Sequence, residues 1–215
     1  MGCYTAPVLP NKRDMTDNHV YFAIVNAAER ATRQPYGQQL LRQMVSHVTG
    51  LPPDLYCIAT EPSGRPAVTD RDGTPSAIFI SLSHSGTHLA VAATAVGPIG
   101  IDIELAKPRR DLAGIAEAAF GQTERRRCER DGPNGFYRIW TLREAIAKAL
   151  GTGLAMVTDR VDRVADGPDE GYWNWQGWQL AHHRIAAGLS LALAVRPDNA
   201  LPGHIVWRDV TLDSA

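Results

Sequence analysis

Two acidic residues set two apart in an apolar run constrain this chain's fold more than any other feature. Gly100-Ile101-Asp102-Ile103-Glu104 alternates isoleucine with carboxylate. That is the period of a β-strand, so Asp102 and Glu104 share one face while Ile101 and Ile103 point to the core. Two adjacent carboxylates repel each other and are costly to hold together. Either the strand is an exposed edge with both acids solvated, or a hard cation neutralises the pair. Mg²⁺ suits the second arrangement, because it takes one or two carboxylates together with water and substrate phosphate oxygens.

The rest of the chain can enclose such a strand. Its 215 residues are 44% hydrophobic and 21% charged, ordinary for a globular protein and enough for one large domain or two small halves sharing a core. The net charge of −1 excludes the basic surface that non-specific nucleic-acid binding needs. A phosphate-bearing ligand must therefore be held by a local site. Cys3, Cys57 and Cys128 are far apart and form no CxxC pair, so neither a zinc knuckle nor a disulfide framework is expected, and the thiols fit a reduced, cytoplasmic protein. No signal peptide is visible, and Ala6 stands where a myristoylation signal wants Ser or Thr. The longest apolar run, Leu89 to Ile101, falls short of the roughly 20 residues that span a bilayer, so the protein is expected to be soluble.

Periodicity divides the chain. Residues 1–18 read as an irregular arm. His19 to Arg33 reads as a helix, or as a strand followed by a helix, interrupted at Pro35-Tyr36-Gly37. Leu40, Leu41, Met44, Val45 and Val48 mark an amphipathic helix that Gly50 and Pro52-Pro53 stop. Leu55–Thr60 and Ala77–Leu82 read as strands, Ser83-His84-Ser85-Gly86 as a turn, and His88–Thr94 as the strand completing a hairpin. Ile99–Glu104 is a third strand. A helical stretch from Asp111 to Glu129 is broken near Gly121. Asp131-Gly132-Pro133-Asn134-Gly135 reads as a loop, and Phe136–Leu150 as a strong helix ended by Gly151-Thr152-Gly153. Strands dominate the remainder, ending with Ala186–Val195 and a tail. Helix ends at Gly50-Leu51 and Gly153-Leu154, with strands at Leu89-Ala90-Val91-Ala92 and Leu189-Ser190-Leu191-Ala192, echo each other about one hundred residues apart, hinting at two similar halves.

Two further segments carry chemistry. Trp140, Glu144 and Lys148 fall at i, i+4 and i+8 in Trp140-Thr141-Leu142-Arg143-Glu144-Ala145-Ile146-Ala147-Lys148, along one helix face. Trp140 would anchor that face, Glu144 supply a third carboxylate, and Lys148 hold a phosphate as a point charge. The plainer alternative is a surface Glu–Lys pair worth a few tenths of a kcal/mol. Ser81-Leu82-Ser83-His84-Ser85-Gly86 can offer hydroxyl, imidazole and backbone N–H groups to a phosphate. A Ser–His nucleophile pair is the alternative, but no GxSxG elbow accompanies it. Trp173, Trp175 and Trp178 are expected in the core or at an edge, and His182-His183 lacks partner ligands for a metal. Arg125-Arg126-Arg127 reads as a solvated helix face, or as a surface for an acidic partner.

In combination and order, SxSHS, GIDIE and WTLREAIAKALGTGL resemble the signature of the Sfp-type 4′-phosphopantetheinyl transferases, and the likeness extends to Gly64-Arg65-Pro66, Lys107-Pro108 and Phe120 over residues 33 to 195. The resemblance implies an α+β fold of two similar halves related by a pseudo-two-fold, with the active site in the cleft between them. It also implies a halves division at 19–98 and 99–200, a 1–18 arm, a 201–215 tail and a monomer. It implies Mg²⁺ or Mn²⁺ held by Asp102, Glu104 and Glu144. Coenzyme A would be the substrate, with its phosphates met by Arg33, Arg65, Ser83, His84 and Lys148, and Arg42 nearby. Catalysis would rest on Glu144 as base, Lys148 as leaving-group partner and Asp102. The protein partner implied is an apo acyl or peptidyl carrier. Departures are Arg143, where the family usually has Lys, and an absence of Lys or Arg from His19 to Ala28, for which Lys12 and Arg13 are the candidate substitutes.

Overall fold

A computed structural model describes residues 18–26, 33–153, 164, 166–185, 188–197 and 205–212, with Arg33 and Gln34 as backbone alone. The expected arm over 1–17, with Lys12 and Arg13, and the side chain of Arg33 lie outside the described residues. Strands β1 (His19–Asn26), β4 (Phe79–Ser85), β5 (His88–Thr94) and β10 (Val206–Asp209) form one sheet, ordered β10-β1-β5-β4. Strands β6 (Ile99–Leu105), β7 (Gly171–Trp175), β8 (Trp178–Ile185) and β9 (Leu189–Val195) form a second, ordered β6-β9-β8-β7. A hairpin of β2 (Cys57–Thr60) and β3 (Pro66–Thr69) stands apart. The class is α+β.

Alternation along the strands explains the layering. Val20, Phe22, Ala90 and Ala92 on one sheet face Ile99, Ile101, Ile103, Leu191 and Leu193 on the other, making a buried interior between the sheets. The opposite face of the first sheet, with Ala23, Ile80, Leu89, Val91 and Ala93, packs on Leu40, Leu41, Met44 and Val45 of α1 (Arg33–Thr49). The outer face of the second sheet, with Leu180, Ala192 and Ala194, packs on α2 (Leu112–Ala119) and α3 (Gln122–Leu150). The order is helix, sheet, sheet, helices. Burying each side chain of this kind contributes about 1.5–3 kcal/mol against the entropy of ordering it. Trp178 joins the helix-side core, and Trp173 and Trp175 pack against it.

Four local expectations are corrected. Pro35-Tyr36-Gly37 does not interrupt α1: Pro35 lies in its first turn, where a missing N–H leaves no bond unmade. Ser83, His84 and Ser85 are strand, not turn, because the serine alternation continues the β period. The turn is Gly86-Thr87 between the paired Ser85 and His88, with Gly86 at a φ of 60°, a conformation glycine adopts freely. The loop expected over 131–135 is a sharp kink at Gly132 (φ 59°, ψ −141°) within α3. Part of the expected tail is β10, which pairs parallel to β1 with His19 opposite Val206.

The kink has a large consequence. Glu124 and Arg143 are 19 residues apart, about 28 Å along a straight helix, yet Arg143 Nη2 donates to Glu124 Oε2 at 2.6 Å. The chain therefore folds back at Gly132. Both side chains are fully buried, and Glu124 also accepts from the N–H groups of Gly121 (3.2 Å) and Val164 (3.0 Å). Removing one member of such a buried pair costs about 3–5 kcal/mol.

β6 and α3 approach so closely that a Cβ on Gly100 would lie 1.8 Å from the Ala145 carbonyl oxygen. Gly100→Ala must push the helix off the strand. Overpacking of this kind costs about 1–3 kcal/mol, and each kcal/mol lowers Tm by about 2–4 °C in a chain of this size. Thermal unfolding by circular dichroism should therefore show a fall of roughly 3–10 °C. An unchanged Tm would contradict the close crossing.

Candidate active site

The strand β6 is the edge of its sheet, with β9 on one side only. Its outward N–H groups need partners, and β4 supplies them through side chains. Ser81, Ser83 and Ser85 share one strand face. Their Oγ atoms accept from the N–H of Ile101 (3.1 Å), Ile103 (3.3 Å) and Leu105 (2.9 Å). Two of the three hydroxyls also donate to a carboxylate: Ser83 to Asp102 Oδ1 (2.7 Å) and Ser85 to Glu104 Oε2 (3.0 Å). The strand that carries the acids is thus joined to the opposite sheet by serine hydroxyls.

Lys148 approaches from α3. Its Nζ donates to Asp102 Oδ1 at 2.7 Å and to the Ile101 carbonyl at 3.1 Å. Asp102 is 5% exposed, and its Oδ2 is buried with no hydrogen-bond partner. Burial pushes the Asp102 carboxyl above the usual carboxylate range, opposed by the Lys148 charge. Glu144, one turn before Lys148, is also raised, first by burial and then by the negative charge of Asp102, with Glu104 adding to it. The structure therefore brings Asp102, Glu104, Glu144 and Lys148 into one electrostatic neighbourhood. Among the described residues, no three carboxylate, imidazole or thiol groups close into a metal cage. The donor set nevertheless fits a hard divalent cation: its oxygens are carboxylates, one of them is buried and unpaired, and its charges repel.

Arg110 is a contributor that the sequence reading did not single out. Its guanidinium lies over the Trp140 ring at 4.9 Å and the Phe136 ring at 5.5 Å, and its Nη1 is 3.6 Å from Glu104 Oε1. Trp140 stacks on Phe136, so the tryptophan expected to anchor the helix face also supports this cation. Its sequence signal was the basic run Lys107-Pro108-Arg109-Arg110 directly after the acidic pair. Glu124 was missed as well; its signal was a glutamate three residues after a helix-starting glycine.

Other expected residues fall in varied places. His84 is exposed beside Ser83, on the opposite strand face, so the two form no nucleophile pair. Arg65 donates to both carboxylate oxygens of Glu61 (3.0 and 3.1 Å) and to the Ala149 carbonyl (3.1 Å), tying the β2–β3 hairpin to the C-terminal end of α3. Arg42 is half-buried, its Nε without a hydrogen-bond partner. Arg143 points into the helix-side core and not into the site. His182 is buried, bonded to the Asp169 carbonyl (2.6 Å) and Ser190 Oγ (2.8 Å), and burial pulls it down to about 4, so it stays a neutral core histidine at physiological pH. Arg127 pairs with Asp131 and Asp169. Arg125 and Arg126 line a groove of about 890 Å³ between α2 and α3 that runs to Arg110.

Comparison with known proteins agrees with the resemblance. Residues 98–188 match the model of the 4′-phosphopantetheinyl transferase superfamily. The chain is similar to the 4′-phosphopantetheinyl transferase AcpT of Salmonella typhi, 38% identical over 92 residues, covering 41% of this chain and 46% of that protein. It is similar to the 4′-phosphopantetheinyl transferase HetI of a Nostoc species, 30% identical over 146 residues, covering 66% and 59%. It is also similar to the 4′-phosphopantetheinyl transferase ffp of Bacillus subtilis, 33% identical over 135 residues, covering 61% and 57%. The chain thus spans about half the length of the curated relatives it matches.

The raised carboxyl at Glu144 has a testable sign. An acid whose folded value lies above its unfolded value contributes stability below the unfolded value, about 4.5 here. That contribution is lost as pH rises through the folded value. Glu144→Gln removes the penalty. In EDTA the variant should melt a few degrees above the parent at pH 8, and the gain should vanish toward pH 4.5. Equal melting at both pH values would contradict the burial and repulsion that raise the Glu144 carboxyl.

Proposed function

Taking residues 98–188 as a segment of the 4′-phosphopantetheinyl transferase superfamily, we propose that this chain transfers the 4′-phosphopantetheine arm of coenzyme A to a serine of an apo acyl or peptidyl carrier protein. The products are holo carrier and adenosine 3′,5′-bisphosphate. The observation that carries the reading is the meeting of Asp102, Glu104, Glu144 and Lys148, from one strand and one helix, beside a buried carboxylate oxygen that nothing among the described residues satisfies.

Each group has work that suits its surroundings. The carrier serine Oγ attacks the pantetheine-bearing phosphorus of the coenzyme A diphosphate. Its bond to phosphorus forms as the bond to the bridging oxygen breaks, and the bridging electron pair leaves on the 5′-phosphate of adenosine 3′,5′-bisphosphate. Glu144, on the helix face that meets the acid pair, takes the serine proton as general base. Lys148 holds the negative charge on the leaving phosphate. Asp102, Glu104 and Glu144 would hold Mg²⁺ or Mn²⁺, which when bound supplies charge neutralisation to the diphosphate. Arg65, His84 and Arg33 would meet the remaining coenzyme A phosphates; the Ser83 hydroxyl, expected to join them, gives its one proton to Asp102 instead.

The architecture supports the same reading. Each half, 19–98 and 99–200, starts with a strand followed by helix and ends in a hairpin, and within each half the final strand sits between the first strand and the one before it: β1-β5-β4 and β6-β9-β8. That repetition supports a pseudo-two-fold, with the site where β4 meets β6. No helix among the described residues is long and apolar enough to cross a membrane. A cytoplasmic monomer is proposed, since coenzyme A and carrier proteins are its partners. The α2–α3 groove beside Arg110, Arg125 and Arg126 is offered to the acidic face of the carrier.

Intact mass spectrometry of an apo carrier incubated with this protein, coenzyme A and Mg²⁺ tests the reaction. The carrier should gain one phosphopantetheine mass, and Asp102→Ala or EDTA should abolish the gain. No gain on acyl and peptidyl carriers alike would overturn the proposal. Charge reversal at Arg125 and Arg126 should raise the carrier KM roughly tenfold, or ~1.4 kcal/mol, with coenzyme A binding unchanged. An unaltered carrier KM would remove the groove from the account.

A further inference from the structure

The three β4 serines are alike in one role and unlike in another. Each accepts a β6 amide proton: Ser81 from Ile101, Ser83 from Ile103 and Ser85 from Leu105. A serine hydroxyl has one proton and two lone pairs, so each retains a proton to give. Ser83 gives it to Asp102 Oδ1 at 2.7 Å and Ser85 to Glu104 Oε2 at 3.0 Å. Among the described residues, no carboxylate accepts from Ser81. All three are about equally buried, at 4–5% exposure. The strand thus holds two serines that touch the acids and one that does not, at matched positions of the same seam.

We propose that Ser85 is a positioning residue for Glu104, and Ser83 likewise for Asp102, each fixing which carboxylate oxygen is turned toward the site. The proposal rests on reading Asp102 and Glu104 as cation ligands. At Asp102 the effect is visible in the bonding. Ser83 and Lys148 both take Oδ1, so the rotamer is held from two sides and Oδ2 is the oxygen left without a partner. At Glu104 the Ser85 proton holds Oε2, while Oε1 faces Arg110. Glutamate has one more rotatable bond than aspartate and is less restrained by its own backbone. Its orientation therefore depends more on such a donor. The amide that Ser85 accepts belongs to Leu105, the residue after Glu104, so one hydroxyl sets both the backbone and the side chain of the ligand strand. Hydrogen bonds to the ligands of a metal typically change its affinity by 10–100-fold.

Ser81 provides an internal control, because Ser81→Ala and Ser85→Ala each orphan one β6 amide while only the second frees a carboxylate. The experiment is Mn²⁺ titration of the full chain, with free Mn²⁺ read by electron paramagnetic resonance, alongside thermal melting. Ser85→Ala should weaken Mn²⁺ binding by roughly 10–100-fold, Ser81→Ala should stay within about twofold of the parent, and the two should lose similar stability. Should Ser85→Ala fail to fold, Ser85→Cys, of similar volume but with a weak S–H donor, carries the same comparison. Equal Mn²⁺ affinity in the Ser81 and Ser85 variants would overturn the positioning role while leaving the cation reading intact. A parent that binds no Mn²⁺, or an Asp102→Ala variant that binds as the parent does, would overturn the cation reading and this proposal with it.

Discussion

The free edge of β6 is the constraint on which the rest of the structure depends. A sheet edge inside a protein presents N–H groups that water cannot reach, and leaving one unpaired costs about 1–3 kcal/mol. An apolar neighbour would leave three of them orphaned. β4 answers with a serine at every second position, so that Ile101, Ile103 and Leu105 are satisfied by hydroxyls. The same polarity that makes the seam possible also lets two acids sit in it. Asp102 and Glu104 are tolerated there because the serine protons, Lys148 and Arg110 reach them.

The helix side of the site depends on a second constraint, the close crossing of α3 over β6. Gly100 has no Cβ and the residue above it is Ala145, so the two backbones nearly touch. That contact sets the distance from which Glu144 and Lys148 reach the strand. The kink at Gly132 turns the first part of α3 back along the second, and the buried Arg143–Glu124 pair fastens the fold-back. Arg143 therefore belongs to the frame that aims the helix, which accounts for a fully charged, forked side chain at a position facing away from the reacting groups.

Much of this was legible in the amino-acid sequence, and the remainder was not for identifiable reasons. α1, β6 and the second half of α3 follow from periodicity and from glycine stops, and the α+β class from the family resemblance. The acid pair and the Trp140, Glu144, Lys148 face are read from spacing alone. The serine run was misread as a turn because Ser, His and Gly favour turns locally, whereas the partner that makes them a strand, the edge of β6, lies elsewhere in the chain. Gly132-Pro133 carried loop chemistry, and the buried pair across it overrode that signal. Arg65 marks another limit: the sequence offers it as a phosphate contact, but it bonds Glu61, and its bond to the end of α3 joins segments that sequence proximity does not connect.

The central claim is that strand and helix together present Asp102, Glu104 and Glu144 to one divalent cation. Anomalous diffraction from crystals grown with Mn²⁺ and coenzyme A measures this most directly. The account predicts a single strong peak bonded to Asp102 Oδ2 and to carboxylate oxygens of Glu104 and Glu144, next to the diphosphate. A peak elsewhere, or a bound diphosphate with none of these carboxylates on the metal, would contradict it.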